Sequence, residues 1–323
     1  LRNPDRQGTE MIRIFKTEDG VTRQTEETTP GCWISLIDPT ATEILEIAER
    51  YEIDPDDVKA PLDEEERSRI EIEDNYSLIL VDIPAIEERN EKDWYVTIPM
   101  GIIMTSDLII TVCLEETPVL NAFMDGRVKN FYTHMKTRFI LQILYKNAQQ
   151  YLQYLRIIDK KSEEVETTLH KSQKNRELIE LLELQKSLVY FTTSLRSNEV
   201  VLEKLMKSER IKKYEEDTEL LEDVITENKQ AIEMANIYNG ILGGMMDAFG
   251  SVISNNLNIA MKFLATITIV LSIPTMVASF YGMNVSPTGM PFSTVSYGFW
   301  IVMAISLILT GVVAWIFSKK DLF

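Results

Sequence analysis

The sequence predicts an α/β N-terminal domain, a long-helix stalk and two C-terminal transmembrane helices. Three observations carry that fold class. Short apolar runs punctuated by seven prolines occupy residues 11–118. The next 155 residues, 119–273, contain no proline. Two uncharged apolar runs, 263–281 and 297–317, then close the chain.

Residues 1–10 hold no apolar core and read as an expression scar or upstream extension, with Met11 as the natural start. Within 11–118, CWISLI (32–37), YSLILVDI (76–83), YVTIPMGIIM (95–104) and LIITVCL (108–114) have strand length and strand composition. TATEILEIAERY (40–51) carries helical spacing, with Asp38 or Thr40 available as its cap and Pro39 in or beside the first turn. DPDDVKAPLDEE (54–65) predicts a second short helix. This is a small mixed α/β domain. Its two cysteines, Cys32 and Cys113, are too few for a disulfide framework or a cysteine zinc site, and Cys113 reads as core.

Residues 119–262 are rich in Leu, Glu, Lys, Gln and Met, which favours several long helices. Breaks are expected near 171–175 and 207–210, and the last helix from about Glu209. Continued without a stop into the first apolar run, residues 211–281 make a stalk of 71 residues, roughly 105 Å long. The competing reading breaks it near Gly240, Gly243, Gly244 or Gly250.

The chain has 33 basic and 50 acidic residues, a net charge of −17. Residues 263–323 contribute only Lys319, Lys320 and Asp321, so the other 262 residues carry −18. Such a body is unsuited to gripping nucleic-acid phosphates and attracts cations. Each apolar run is long enough for a bilayer core, which needs roughly 20 residues; the rival is a buried hairpin of a soluble protein. Lys262, Lys319 and Lys320 flank the runs, while the loop 282–296 (GMNVSPTGMPFSTVS) has no charge. Positive residues stay inside, so both termini and the tail 318–323 are expected in the cytoplasm and the loop outside.

The first run carries a pattern. Asn258, Met261, Ala265, Thr268, Ser272, Thr275, Ser279 and Gly282 follow one another by alternating steps of three and four. A 3.5-residue period is the seam of a helix packed in a left-handed bundle. The opposite positions are Phe263, Ile267, Ile269, Val270, Leu271, Ile273, Val277 and Phe280, all large and apolar. Small and hydroxylated residues can serve close helix packing or line water. Asn258 below and Asn284 above place carboxamide oxygens at both ends, which suits a cation path. Pro274 cannot donate to the Val270 carbonyl and predicts a kink or local loosening. The chain has no P-loop, dinucleotide fingerprint or zinc-protease motif, and no enzymatic role is expected. His134 and His170 read as surface or interface residues rather than ligands.

Tyr281-Gly282-Met283-Asn284 ends the first of two C-terminal spans, after a long acidic helical region and before a basic tail. This arrangement resembles the CorA family of divalent-cation channels. The resemblance covers the chain from Met11 and includes CWISLIDPT and ERSRIEIEDNYSLILVDI. It implies a funnel-shaped homopentamer of a prokaryotic plasma (inner) membrane, partnered by four copies of itself and the bilayer. Five first spans would surround the pore and five second spans the outside. Its cargo would be Mg²⁺, with Co²⁺ and Ni²⁺ as further ions. Gly282, Met283 and Asn284 match the family's selectivity signature. Mg²⁺ dehydrates reluctantly, so neutral carbonyl oxygens would hold it through its own waters. Gly282 would permit backbone geometry that a Cβ resists.

The resemblance also implies a polar ring at Asn258, a hydrophobic constriction at Met261 and Leu264, and a hydroxyl ring at Thr275. Leu264 lies one position off the strict stripe, beside Ala265. Ser272 replaces a bulky Met, and Val285-Ser286-Pro287 lacks the acid commonly found after the signature. Among the stalk carboxylates Glu215, Glu216, Asp217, Glu219, Glu222, Asp223 and Glu227, Asp223 matches a regulatory Mg²⁺ ligand. Glu87 matches its partner from the N-terminal domain, and Asp247 a further acidic position. Five such bodies would set about −90 around one axis, and bound Mg²⁺ would relieve that repulsion and keep the pore shut. Two other functions fit the sequence: a Zn²⁺ transporter of the same fold, and a membrane-anchored helical scaffold that conducts nothing.

Overall fold

The computed structural model describes residues 12–89, 92–172, 175–208, 214–286 and 289–319. Two compact units result, one ending at Met245 and one starting at Met246.

The first unit is built on a seven-stranded sheet. Its strands are β1 (Ile12–Glu18), β2 (Val21–Thr25), β3 (Trp33–Ile37), β4 (Arg69–Ile72), β5 (Tyr76–Arg89), β6 (Lys92–Thr105) and β7 (Ile109–Cys113), in the order β2-β1-β3-β7-β6-β5-β4. Only β3 and β7 pair in parallel. Three strands beyond the four expected are present: β1, β2 and β4. Their sequences, IRIFKTE, VTRQT and RIEI, mix polar and charged residues with apolar ones because these strands lie towards the sheet edges and have no wholly buried face. β1 and β2 meet at a two-residue turn, with Glu18 opposite Val21 and positive φ at both Asp19 and Gly20. That is the Asp-Gly type I′ hairpin, which only residues tolerant of left-handed backbone can close.

Alternation along the central strands makes two cores. Trp33, Ile79, Ile102 and Ile109 face one way; Ile34, Leu80, Ile103 and Ile110 face the other. The second face is covered by α1 (Ala41–Tyr51), through Ile44 and Ile47, and by α2 (Pro55–Lys59), through Val58. Thr40 and not Asp38 caps α1: its hydroxyl accepts from the Glu43 amide while the Glu43 carboxylate accepts from the Thr40 amide. The helix expected over 54–65 stops early. α2 passes into a 3-10 turn at Ala60–Leu62, since Pro61 cannot donate and its ring lies over Gly101, where a Cβ would stand 2.3 Å from the Pro61 Cγ.

The first face is covered by α3 (Pro118–Met124), α4 (Lys136–Ser172) and α5 (Asn175–Lys207). Trp33 is fully buried among Phe15, Phe123, Phe131 and Phe139, and its indole N–H donates to Thr111 Oγ1 at 2.9 Å. Cys113 belongs to this core as expected, and burial pushes its thiol up to about 12. At mid-β5, Asp82 lies two residues beyond Leu80, the last residue that pairs with β4. Asn198 of α5 supplies what a neighbouring strand would. It accepts from the Asp82 amide at 2.9 Å and donates to the Asp82 carbonyl at 2.8 Å, and Asn147 of α4 donates to the same carbonyl.

α5 ends at Lys207, where a break was expected, while the break expected near 171–175 falls on residues outside the described ones. The predicted start near Glu209 lies outside the described residues; α6 (Glu215–Tyr281) begins six positions later. It runs 67 residues with no break at Gly240, Gly243, Gly244 or Gly250. Each of those glycines has open space or ordinary contact where a Cβ would stand, so none admits a close neighbour within the chain. In the first unit α6 buries Asp217, Leu221, Val224, Asn228, Ala231, Ala235 and Leu242, a stripe of period about 3.5. Tyr95, Tyr151, Leu188 and Leu195 share the core that this stripe joins. The second unit holds the rest of α6 and α7 (Gly298–Lys319).

Candidate ion-conduction site

α6 and α7 are both long and apolar enough to cross a membrane. Their burial decides which face of α6 each reading of the stripe concerns. Thr266 is only 5% exposed, and Ile267, Val270, Ile273, Pro274 and Val277 are half-buried. These residues form the inward face: Pro274 and Val277 border an apolar cleft of about 570 Å³ whose far wall is Val302, Ser306 and Leu307 of α7. The stripe residues Asn258, Met261, Ala265, Thr268, Ser272, Thr275 and Ser279 are all exposed. At 3.6 residues per turn the two sets centre roughly 170° apart. α7 covers part of the oily side of α6; the hydroxyl side is bare, as are Phe263, Ile269, Leu271 and Phe280. Leu264, 61% exposed, falls on the bare side, one turn-step from the stripe.

The hydroxyls are already half-used. Thr268 Oγ1 donates to the Leu264 carbonyl at 2.8 Å, Ser272 Oγ to Ile269 at 2.7 Å and Thr275 Oγ1 to Leu271 at 3.1 Å. Each hydrogen is spent on the helix itself, so the outward lone pairs remain as acceptors. Acceptors are what the water hydrogens of a hydrated cation require.

The helix ends at Tyr281. The Gly282 amide bonds back to Ala278 O at 2.9 Å and Ser279 O at 3.2 Å, and the Met283 amide to Phe280 O. A Cβ at Gly282 would stand 3.3 Å from the Ala278 oxygen, tight but without the left-handed backbone that only glycine adopts freely. Met283 and Asn284 are exposed, Asn284 three residues beyond the end of α6.

The expected regulatory carboxylates are not gathered within one chain. Among the described residues no three His, Cys, Asp or Glu side chains converge on a metal-sized site. Asp223 and Asp247 are exposed, and Glu87 pairs with Arg89. Asp217 stands apart from the stalk set: it is 5% exposed and 3.8 Å from Arg138, and burial raises its carboxyl above the ordinary range. His134 is exposed, with its ring beside Tyr132.

Three residues to which sequence reasoning assigned no role, Tyr281, Phe292 and Gly298, lie beside the signature. The Tyr281 hydroxyl donates to the Pro291 carbonyl at 2.8 Å. Phe292 has φ 67°, and its carbonyl lies where a Cβ on Gly298 would come within 2.1 Å. A glycine at the start of the second span was the available signal.

An α/β unit, one very long helix and a terminal pair of apolar helices joined by a Gly-Met-Asn loop define a membrane-transporter architecture. The family model described as CorA-like Mg²⁺ transporter protein matches residues 30–320, and the chain belongs to that family, whose description is that of a transporter rather than an enzyme. A cobalt/magnesium transport protein CorA of Methanocaldococcus jannaschii is 28% identical over 297 residues, covering 89% of this chain and 90% of the relative. Another of that description, from Thermotoga maritima, is 23% identical over 328 residues, 96% of this chain and 89% of the relative. The complete structure of the CorA magnesium transporter from M. jannaschii superposes with a TM-score of 0.82 at 25% identity, over 97% of this chain and 99% of that one.

Proposed function

We propose that the chain assembles as a homopentameric channel for Mg²⁺ in a prokaryotic plasma membrane, with both termini in the cytoplasm. One observation carries the reading: the hydroxyl stripe of α6 lies on the face that α7 leaves bare. A scaffold helix would be expected to cover its polar face with its own hairpin partner. Five copies bring five stripes together around one axis.

In that assembly Asn284 rings the outer mouth, with Gly282 and Met283 holding it at the helix end. Thr275, Ser272 and Thr268 present acceptors to the hydrated ion, and Met261 and Leu264 form the dry constriction. Residues 11–118 are the cytoplasmic α/β domain, 119–262 the helical domain and stalk, and 282–296 the outer loop. Mg²⁺ bridging Asp223 of one copy and Glu87 of the next, with Asp247 nearer the membrane, holds the closed state. The intrachain ion pair of Glu87 with Arg89 must yield for this; it is exposed and of the kind worth little.

The test is uptake into liposomes holding a Mg²⁺-sensitive dye, with Zn²⁺ as parallel substrate. Mg²⁺ influx that falls when the inner face meets millimolar Mg²⁺, and that Asn284→Ala abolishes, is expected. Zn²⁺ influx alone would keep the fold and replace the cargo; absence of both would leave the scaffold.

A further inference from the structure

We propose that Tyr281 and Gly298 are positioning residues for the signature segment 282–284, acting through the loop 290–298; this rests on reading that segment as the conducting mouth. Several local contacts point the same way. Gly282 and Met283 stay tied to the last turn of α6 by their own amides, so no flexible spacer separates Tyr281 from Asn284. Whatever fixes Tyr281 therefore fixes the direction in which Asn284 leaves the helix.

Two contacts fix it. The Tyr281 hydroxyl is held by the Pro291 carbonyl. Pro291 in turn precedes Phe292, a non-glycine residue kept in left-handed backbone. Such a conformation persists only where the surroundings over-determine it. Here the determinant is Gly298. The Phe292 carbonyl accepts from the Val295 amide at 3.3 Å, and the Val295 carbonyl accepts from the Gly298 amide at 2.9 Å. Any side chain at 298 would meet the Phe292 oxygen at 2.1 Å and its carbon at 3.1 Å. Both atoms are backbone, so no side-chain rotation relieves the contact. Gly298 is thus a notch at the start of α7 that lets the loop fold back far enough to reach Tyr281. Tyr281, Gly282, Phe292 and Gly298 line the same cleft between α6 and α7.

The full chain in liposomes tests this. Tyr281→Phe removes one oxygen, and the expected effect is a rise in half-saturating Mg²⁺ of about fivefold, the size of one net hydrogen bond. Maximal flux per inserted molecule and oligomer size stay unchanged. Gly298→Ala shifts the same quantity further. A readout independent of transport is a nitroxide on Val285→Cys; Cys32 and Cys113 are fully buried and take no label. The label is expected to be immobilised in the parent and mobile in both variants. Phe292→Gly added to Gly298→Ala should restore part of the immobilisation, because glycine tolerates a displaced backbone. Unchanged line shapes in both variants overturn the proposal, whether or not the protein conducts. Mobile labels in a protein that carries no ion support the positioning and sink the channel reading instead. Should Gly298→Ala fail to insert, Tyr281→Phe decides alone.

Discussion

Asp82 shows how one residue couples strand, helix and charge. Its backbone replaces a missing strand partner with Asn198 and Asn147, while its carboxyl sits half-buried and is raised from the ordinary aspartate value by desolvation. Hydrogen bonds from Ser194 and Ser68 offset part of that. A carboxyl whose folded pKa is raised favours the fold below the ordinary value, 3.8. That contribution is lost as pH climbs through the raised one. Asp82→Asn keeps the hydrogen-bonding shape without the half-buried charge. It should therefore melt higher than the parent at pH 7, each kcal/mol gained being worth about 2–4 °C. Melts below pH 4 should converge. A variant that melts lower at pH 7 would mean that the carboxylate has a compensating partner.

The long helix α6 uses one residue period for two purposes. In the first unit its 3.5-residue stripe is buried, running from Asp217 to Leu242. In the second unit the small and hydroxylated stripe of the same period is exposed, and the half-buried face is apolar. The bare stripe is the one that should matter for flux. In the proposed channel, Thr268→Leu would remove an acceptor worth about 1 kcal/mol to the ion's water shell and extend the dry constriction upwards. Its Mg²⁺ influx should fall about fivefold or more, by the same figure. Ile267→Leu, on the face turned to α7, should leave influx unchanged. Equal losses from both would show that the helix pair, rather than one face, sets conduction.

Taken as a whole, the molecule has a net charge of −17, with 31 of its 33 basic residues before position 263. In the proposed assembly, copies about an axis would repel through their acidic bodies, and divalent cations between them would relieve that repulsion. Asp223→Asn should weaken the protection that Mg²⁺ gives against limited proteolysis, moving its midpoint to higher Mg²⁺. Protection with the same midpoint would remove Asp223 from the regulatory site. The carboxylates proposed for that site do not meet within a single chain, so this prediction stands or falls with assembly. Native mass spectrometry on the same sample reports whether five copies are present.

Apolar length, missing proline and missing charge were enough to define the three-part architecture and the stripe, because each depends only on local spacing. The Asp-Gly turn of the β1–β2 hairpin was legible but its polar strands hid it, since β2 lies at the sheet edge and β1 beside it has no wholly buried face. Thr40 over Asp38 as the cap of α1, and the early end of α2 at Pro61, depended on reciprocal geometry and on a proline ring meeting Gly101 across the core. The site divides in the same way. Period alone placed Thr268, Ser272 and Thr275 on one line, but it could not say which side of α6 the second apolar helix would cover. That choice, and the loop that seats Phe292 against Gly298 and Pro291 against Tyr281, belong to the tertiary structure. They arise from contacts between residues distant in sequence, whose energies no local pattern records.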